Sequence, residues 1–131
     1  MAASAEPPNQ LAHYVPALRQ SDEIFRLRLL LHGFGLVWQH STNSERTALV
    51  AAEPDPIDAR WDAFAAALAE HLCIEAALEP PRWTANPSRH LDRAWFAGGC
   101  FEFDRARVIA TTPPAFRRHG VWLPRSELAV V

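Results

Sequence analysis

The chain has 131 residues, of which 49% are hydrophobic and 21% charged, a composition typical of one folded domain and not of a disordered chain. Five tryptophans and seven phenylalanines supply large side chains for a core. Two cysteines are too few for a disulfide framework, and the apolar runs are too short to cross a membrane. Because the first residues lack the regions of a signal peptide, the sequence predicts a cytoplasmic protein.

The charges are unevenly distributed, although the net charge is only −2. Residues 1–81 hold five arginines and eleven acidic residues, whereas residues 82–131 hold eight arginines and four acidic residues. One interpretation is a basic face that meets nucleic acid or an acidic partner. The other is that the two halves neutralise each other within the fold. All 13 basic residues are arginine, which indicates a GC-rich genome or a surface suited to planar contacts with carboxylates or phosphates.

The N-terminal residues 1–20 contain three prolines among small and polar residues. They are expected to form a loose arm, with a short turn around Leu11–Tyr14, before a single helical domain, residues 21–131. The first helix is predicted from Ser21 to Trp38, with Ser21 or Asp22 as its cap. Two glycines inside it indicate a bend or a close helix crossing. Its apolar residues recur three and four positions apart: Ile24, Leu27, Leu31, Phe34 and Trp38.

Two further helices are indicated by capping signals. Thr42 and Glu45 have capping-box spacing, so a short helix is expected over residues 44–52. Asp58 precedes the strongest predicted helix, residues 59–78, which ends before a pair of prolines. The apolar residues on one face of this helix are Trp61, Phe64, Leu68, Leu72 and Ala76.

The C-terminal third is expected to be irregular, with short helices. An Asn-Pro pair at 86–87 and a Thr-Pro pair at 112–113 favour helix starts, because the first residue can cap and the second fits the first turn. A Gly-Gly pair at 98–99 predicts a turn, and Gly120 predicts a helix end. A further short helix is expected over residues 104–110. The fold class is therefore mainly α, a small single-domain helical bundle.

No residue pattern indicates catalysis, a metal or a cofactor. His71 and Cys73 are two residues apart on a helix and point in different directions, so they are not expected to share an ion, and Cys73 is interpreted as a small buried apolar residue. Cys100 follows the glycine pair, which is compatible with an exposed nucleophile assisted by His90 or His119, but a buried thiol after a tight turn is favoured. Phosphate-binding loops and G-x-S-x-G motifs are absent from the sequence.

Residues 116–122, with the sequence FRRHGVW, form the most informative cluster. One interpretation is structural, since cations stabilise a helix C-terminus while the aromatic residues pack inward. The other is an anchor for a partner, because arginine and tryptophan dominate the energetics of protein interfaces. Two adjacent arginines are a modest basic cluster and no nucleic-acid-binding motif accompanies them, so a protein partner is favoured.

Four segments together resemble an actinobacterial family that consists of short proteins and of C-terminal segments of helix-turn-helix regulators. The resemblance extends over roughly residues 26–131, and it implies an antitoxin-like partner of nucleotidyltransferase-type toxins. A separate helix-turn-helix domain is not recognisable in this sequence, which favours the protein-binding role over DNA binding. The four segments are Arg60–Leu72, Pro81–Trp83, His90–Phe96 and Thr112–Leu123.

We therefore expect a non-catalytic binding protein, an antitoxin-like regulator that neutralises a co-encoded toxin by direct contact. The alternative is a small nucleic-acid-binding transcriptional regulator that uses the arginine-rich C-terminal half. Neither a metal nor a cofactor nor a membrane is expected to take part. The residues expected to contact the partner, or to support those that do, are Trp95, Phe96, Phe116, Arg117, Arg118 and Trp122.

Overall fold

Helix α5 (Ala59–Glu75) lies at the centre of the computed structural model, which describes residues 9–129. It begins as expected, since the Asp58 carboxylate accepts a hydrogen bond from the backbone N–H of Trp61 at 3.0 Å. The helix is buried on more faces than the predicted stripe, because small side chains let several segments approach its axis. Its buried alanines are Ala63, Ala65, Ala66, Ala67 and Ala69.

Residues 9–20 belong to the folded domain, so the expected loose arm is wrong for this part of the chain. A short 3₁₀ helix (Leu11–Tyr14) runs into α1 (Val15–Arg19). Three apolar side chains of this segment are almost fully buried against the rest of the core. The segment is too short to show periodicity, and its order comes from that burial. Residues 1–8 of the expected arm lie outside the described residues.

The first predicted helix is present as three consecutive segments, α2 (Glu23–Arg28), a π-helical segment (Leu29–Phe34) and α3 (Gly35–Gln39). Asp22 caps it, and its carboxylate accepts from the N–H of Phe25 at 2.8 Å. The predicted apolar stripe is wrong at its start, because Ile24 is 68% exposed. The i→i+5 hydrogen bonds of a π-helical segment take up an extra residue, so residues before it are rotated relative to residues after it.

The second predicted helix is α4 (Asn43–Ala51). The Thr42 hydroxyl accepts from the backbone of Glu45, and the Glu45 carboxylate accepts from the backbone of Thr42, so the capping box is confirmed. Helix α5 ends three residues earlier than predicted. Ala77 leaves it with a positive φ of 58°, and the N–H of Leu78 donates to the carbonyl of Cys73.

The C-terminal third is irregular, which confirms the expected fold class: mainly α, one small domain. Among the described residues, no helix is long and apolar enough to span a bilayer. The C-terminal elements are 3₁₀ turns at Arg82–Ala85, Pro87–Arg89, Glu102–Asp104 and Arg125–Leu128, helices α6 (Arg105–Thr111) and α7 (Pro114–Arg118), and strands β1 (Trp95–Phe96) and β2 (Val121–Trp122).

Two residues expected to cap helices have other roles. The Asn86 side chain donates to Glu53 at 3.1 Å and makes no cap. The Thr112 hydroxyl donates to the carbonyl of Val108 at 2.6 Å and accepts from the N–H of Leu123 at 3.1 Å. Both side chains thus join segments that are distant in sequence, and a local capping pattern cannot reveal such contacts.

Arg89 is the most densely bonded charged residue of the core, with only 3% of its surface exposed. Its Nε donates to the Glu53 carboxylate at 3.0 Å, and its two Nη atoms donate to the carbonyls of Asp62 and Pro54 at 3.0 and 2.7 Å. The guanidinium also stacks on the ring of Trp83, 4.8 Å from its centroid. Arg89 therefore fixes the C-terminal third to α5 and to the linker before it.

We predict that Arg89→Ala lowers the free energy of unfolding by at least about 2 kcal/mol, because it leaves the Pro54 carbonyl without its donor and takes one donor each from the Glu53 carboxylate and the Asp62 carbonyl. Arg89→Lys should recover only part of this loss, since an ammonium cannot reproduce the planar fork. Urea unfolding measures both variants. Arg93→Ala is the control, because Arg93 is exposed and lies on the same segment. A loss of less than about 0.5 kcal/mol in Arg89→Ala would show that the core does not depend on this residue.

Candidate partner-binding surface

Three of the predicted contact residues lie on strands β1 and β2, where they occupy either inner or outer positions. The strands are parallel, with Trp95 opposite Val121 and Phe96 opposite Trp122. Side chains alternate along a strand, so the first pair faces the core and the second pair faces outward. Both residues of the first pair are buried, whereas Phe96 and Trp122 are partly exposed with ring centroids 6.3 Å apart.

Trp95 and Phe116 belong to the core, so they support the surface and do not form it. The ring of Trp95 meets that of Trp61 edge-on, with centroids 5.1 Å apart. Phe116 is fully buried and packs edge-on against Phe64 at 5.5 Å. Two of the six predicted residues are therefore buried and cannot contact a partner directly.

Arginines stack on the two outward-facing aromatic rings. The guanidinium of Arg105 lies 5.3 Å from the ring centroid of Phe96, and that of Arg117 lies 5.6 Å from the ring centroid of Trp122. Arg117 is further held by a hydrogen bond from Nη2 to the carbonyl of Ile109. Within residues 9–129, neither arginine forms an ion pair with an acidic side chain. We call Phe96, Arg105, Arg117 and Trp122 the aromatic–arginine face.

Arg105 is absent from the predicted set. No local pattern identifies it, since it lies nine residues beyond the ring on which it stacks. Arg118 was predicted, but it binds elsewhere: its Nη2 lies 3.3 Å from the carboxylate of Glu70 on α5. Adjacent residues of a helix point about 100° apart, so the two arginines of α7 serve different surfaces.

Exposed aromatic rings also follow the glycine turn. Phe101 and Phe103 are 74% and 85% exposed, and their rings stack with centroids 5.5 Å apart. Phe101 and Trp122 line one cleft of about 230 Å³. The exposed apolar surface next to the aromatic–arginine face is therefore larger than residues 116–122 alone indicate. Exposed apolar surface of this kind is typical of interaction sites.

His119 is a buried titratable residue, for which the sequence suggested either a cation at a helix C-terminus or a base beside Cys100. Its Nδ1 lies 2.7 Å from the carbonyl of Arg89 and its Nε2 lies 3.0 Å from the Glu70 carboxylate, while the His90 ring stacks on it at 4.1 Å. Burial lowers the pKa of His119, and His90 lowers it further, whereas the contacts with Arg89 and Glu70 act in the opposite direction. Only 1% of His119 is exposed, whereas the Glu70 side chain is 18% exposed, so the imidazole ring is shielded from solvent and the carboxylate is not fully so.

The cysteines have different environments. Cys73 is buried as predicted, and burial raises the pKa of its thiol to about 11, which disfavours the reactive thiolate. Cys100 is partly exposed, so its interpretation as a buried thiol is wrong. No histidine is among the described residues that line the cleft around Cys100. The part of the chain that the structure describes also holds no cluster of three or more potential metal ligands.

Ion pairs between the halves explain most of the uneven charge distribution. Three arginines of the C-terminal half bind acidic residues of the N-terminal half, at distances of 3.0, 3.3 and 3.7 Å. A fourth, Arg107, binds Asp104 through two hydrogen bonds. The positive charge of the C-terminal half is thus largely neutralised. The three pairs between the halves are Arg89–Glu53, Arg118–Glu70 and Arg125–Glu75.

No protein-family model, curated protein or solved structure matches this chain. The resemblance to the antitoxin-like family therefore stays a prediction.

We predict that acidification destabilises the protein below about pH 6.5. Burial is the main cause that lowers the pKa of both His71 and His119, so the unfolded chain binds more protons than the folded one as the pH falls. The stability that the neutral rings contribute is present above their unfolded pKa and is lost on acidification. Thermal unfolding at a series of pH values measures the slope. It should be shallower in His119→Gln and unchanged in His40→Gln, whose parent side chain is exposed. Equal slopes in the wild type, His119→Gln and His40→Gln would show that His119 does not contribute to the acid destabilisation.

Proposed function

We propose that this protein is a non-catalytic, cytoplasmic binding protein, an antitoxin-like regulator that neutralises a co-encoded toxin by direct contact. The aromatic–arginine face would make that contact. The observation that carries the proposal is the pair of outward-facing rings, Phe96 and Trp122, each covered by an arginine without an acidic partner among the described residues.

The composition of this face suits a protein interface. Tryptophan and arginine are the residues that most often dominate binding energy, and aromatic rings lose little conformational entropy on binding. The strand pairing, the stacking and the Arg117–Ile109 hydrogen bond hold these side chains in place before a partner arrives. Such preorganisation reduces the entropy lost on association.

The arrangement of polar groups favours binding over catalysis. The ring of His119 is buried beside Glu70, and the partly exposed thiol of Cys100 has no histidine among the described residues that line its cleft. A general base must come within hydrogen-bond reach of the group that it activates. These observations support a role in which surface complementarity, and not chemistry, inactivates the partner.

Nucleic-acid binding is the second candidate function, and its support is the surplus of arginines in the C-terminal half. Arg105 and Arg117 are exposed and available to contact phosphates. Four of the eight arginines of this half are already bound to carboxylates, so the remaining positive potential is weak. We therefore place the protein partner first.

The test is co-expression with the product of the adjacent gene. We expect the wild-type protein to relieve the toxicity and to copurify with the toxin. Phe96→Ala combined with Trp122→Ala should weaken the complex at least about tenfold, because it removes both anchors. Ile74→Ala is the control, since Ile74 is an exposed apolar residue on α5 that does not belong to the face. Circular dichroism verifies that each variant is folded.

The proposal is wrong if no complex forms, or if the double variant binds the toxin as tightly as the control. Retardation of the protein's own promoter DNA, weakening steeply as salt is added, would instead favour the nucleic-acid regulator. Arg105→Gln and Arg117→Gln would then reduce the salt dependence, since each removes one phosphate contact.

A further inference from the structure

A groove lies between α6, α7 and the last 3₁₀ turn, beside the aromatic–arginine face. Its volume is about 650 Å³, within the usual range of ligand sites. Three small, exposed residues give it an apolar lining: Ala110 on α6, Pro114 on α7 and Ala129 directly after the last 3₁₀ turn.

Three guanidinium groups surround this apolar lining: those of Arg107, Arg117 and Arg125. No acidic side chain is among the described residues that line the groove. Arg107 is neutralised by two hydrogen bonds to Asp104, and Arg125 has a long contact of 3.7 Å with Glu75 in which both side chains are more than half exposed. An exposed pair of that geometry contributes little, so Arg125 can exchange its partner readily.

Arg117 is the cation best prepared for a ligand. Its Nη2 donates to the Ile109 carbonyl and its plane lies over Trp122, so the side chain is held at the edge of the groove. A guanidinium has five N–H donors, and this hydrogen bond uses one of them. The remaining donors suit a carboxylate, which binds a guanidinium in a bidentate way.

We infer that the groove binds a segment of the protein partner in which an apolar side chain stands next to one or more carboxylates. The apolar side chain enters between Ala110, Pro114 and Ala129, and the carboxylates pair with Arg117 and Arg125. This inference rests on the proposed function, because it specifies the chemistry of the partner. Arginines but no acidic residues are found among the described residues that line the groove, so its charge favours an acidic segment over a basic one.

The experiment is a selection of short random peptides, displayed on phage, against the purified full-length protein. We expect the selected peptides to share Asp or Glu beside Leu, Ile or Phe. One synthetic peptide of the consensus is then titrated by fluorescence anisotropy. Its affinity should fall at least about tenfold in Ala110→Trp, which fills the groove, and in Arg117→Gln, which removes the charge.

Matched controls lie on the same elements or nearby. Ala106→Trp places an equal bulk on α6 at an exposed residue outside the groove, and Arg93→Gln removes an exposed charge elsewhere. Both controls should bind the peptide as the wild type does. All four substitutions are at exposed positions, so the variants should remain folded.

Three results would overturn the inference: no consensus, a consensus without acidic residues, or binding that Ala110→Trp does not weaken. An oligonucleotide that binds in a groove-dependent manner would identify nucleic acid as the occupant instead. A concentration-dependent dimer that Ala110→Trp abolishes would identify a second copy of the chain. A failure of the proposed function can be distinguished from a failure of this inference. Toxin binding is tested with the double variant at Phe96 and Trp122, and neither residue lines the groove.

Discussion

The structure depends on the buried guanidinium of Arg89. A charged group out of water is tolerated only when it is hydrogen-bonded, and here each of the three guanidinium nitrogens donates one hydrogen bond while the Trp83 ring covers the face of the group. The partners come from the linker before α5 and from α5 itself, while the carbonyl of Arg89 lies in contact with the ring of His119 after α7. One residue thus joins the central helix, the linker and the C-terminal third, which short helices alone would not hold together.

The aromatic–arginine face is a consequence of that assembly. Once α7 packs on α5, Gly120 turns the chain with a positive φ of 79°, and β2 follows directly beside β1. A side chain at Gly120 would meet Leu91 at 3.0 Å, so this turn needs glycine. The parallel pairing then brings the outer rings of the two strands together. Two-residue strands have no stability of their own, and the core on their inner side fixes them.

The same burial decides which titratable groups are accessible. Packing around α5 buries the ring of His119 and raises the pKa of the Cys73 thiol, whereas Cys100 is partly exposed. The aromatic–arginine face presents aromatic rings and arginines, which are typical of interaction sites. The ion pairs between the halves act in a similar way, because they neutralise most of the basic C-terminal half and leave local cations such as Arg117 at one surface.

Helix starts can be predicted from this sequence wherever the signal is local. Asp22, the Thr42 capping box and Asp58 each act within three residues, so the pattern predicts them correctly. Three features could not be predicted in this way: which of the six expected contact residues face outward, the packing of residues 9–20 on the core, and the place of Arg105 in the aromatic–arginine face. These features arise from burial and from contacts between distant segments. A side chain's partner across such a distance is set by the packed core, and no spacing along the chain encodes it.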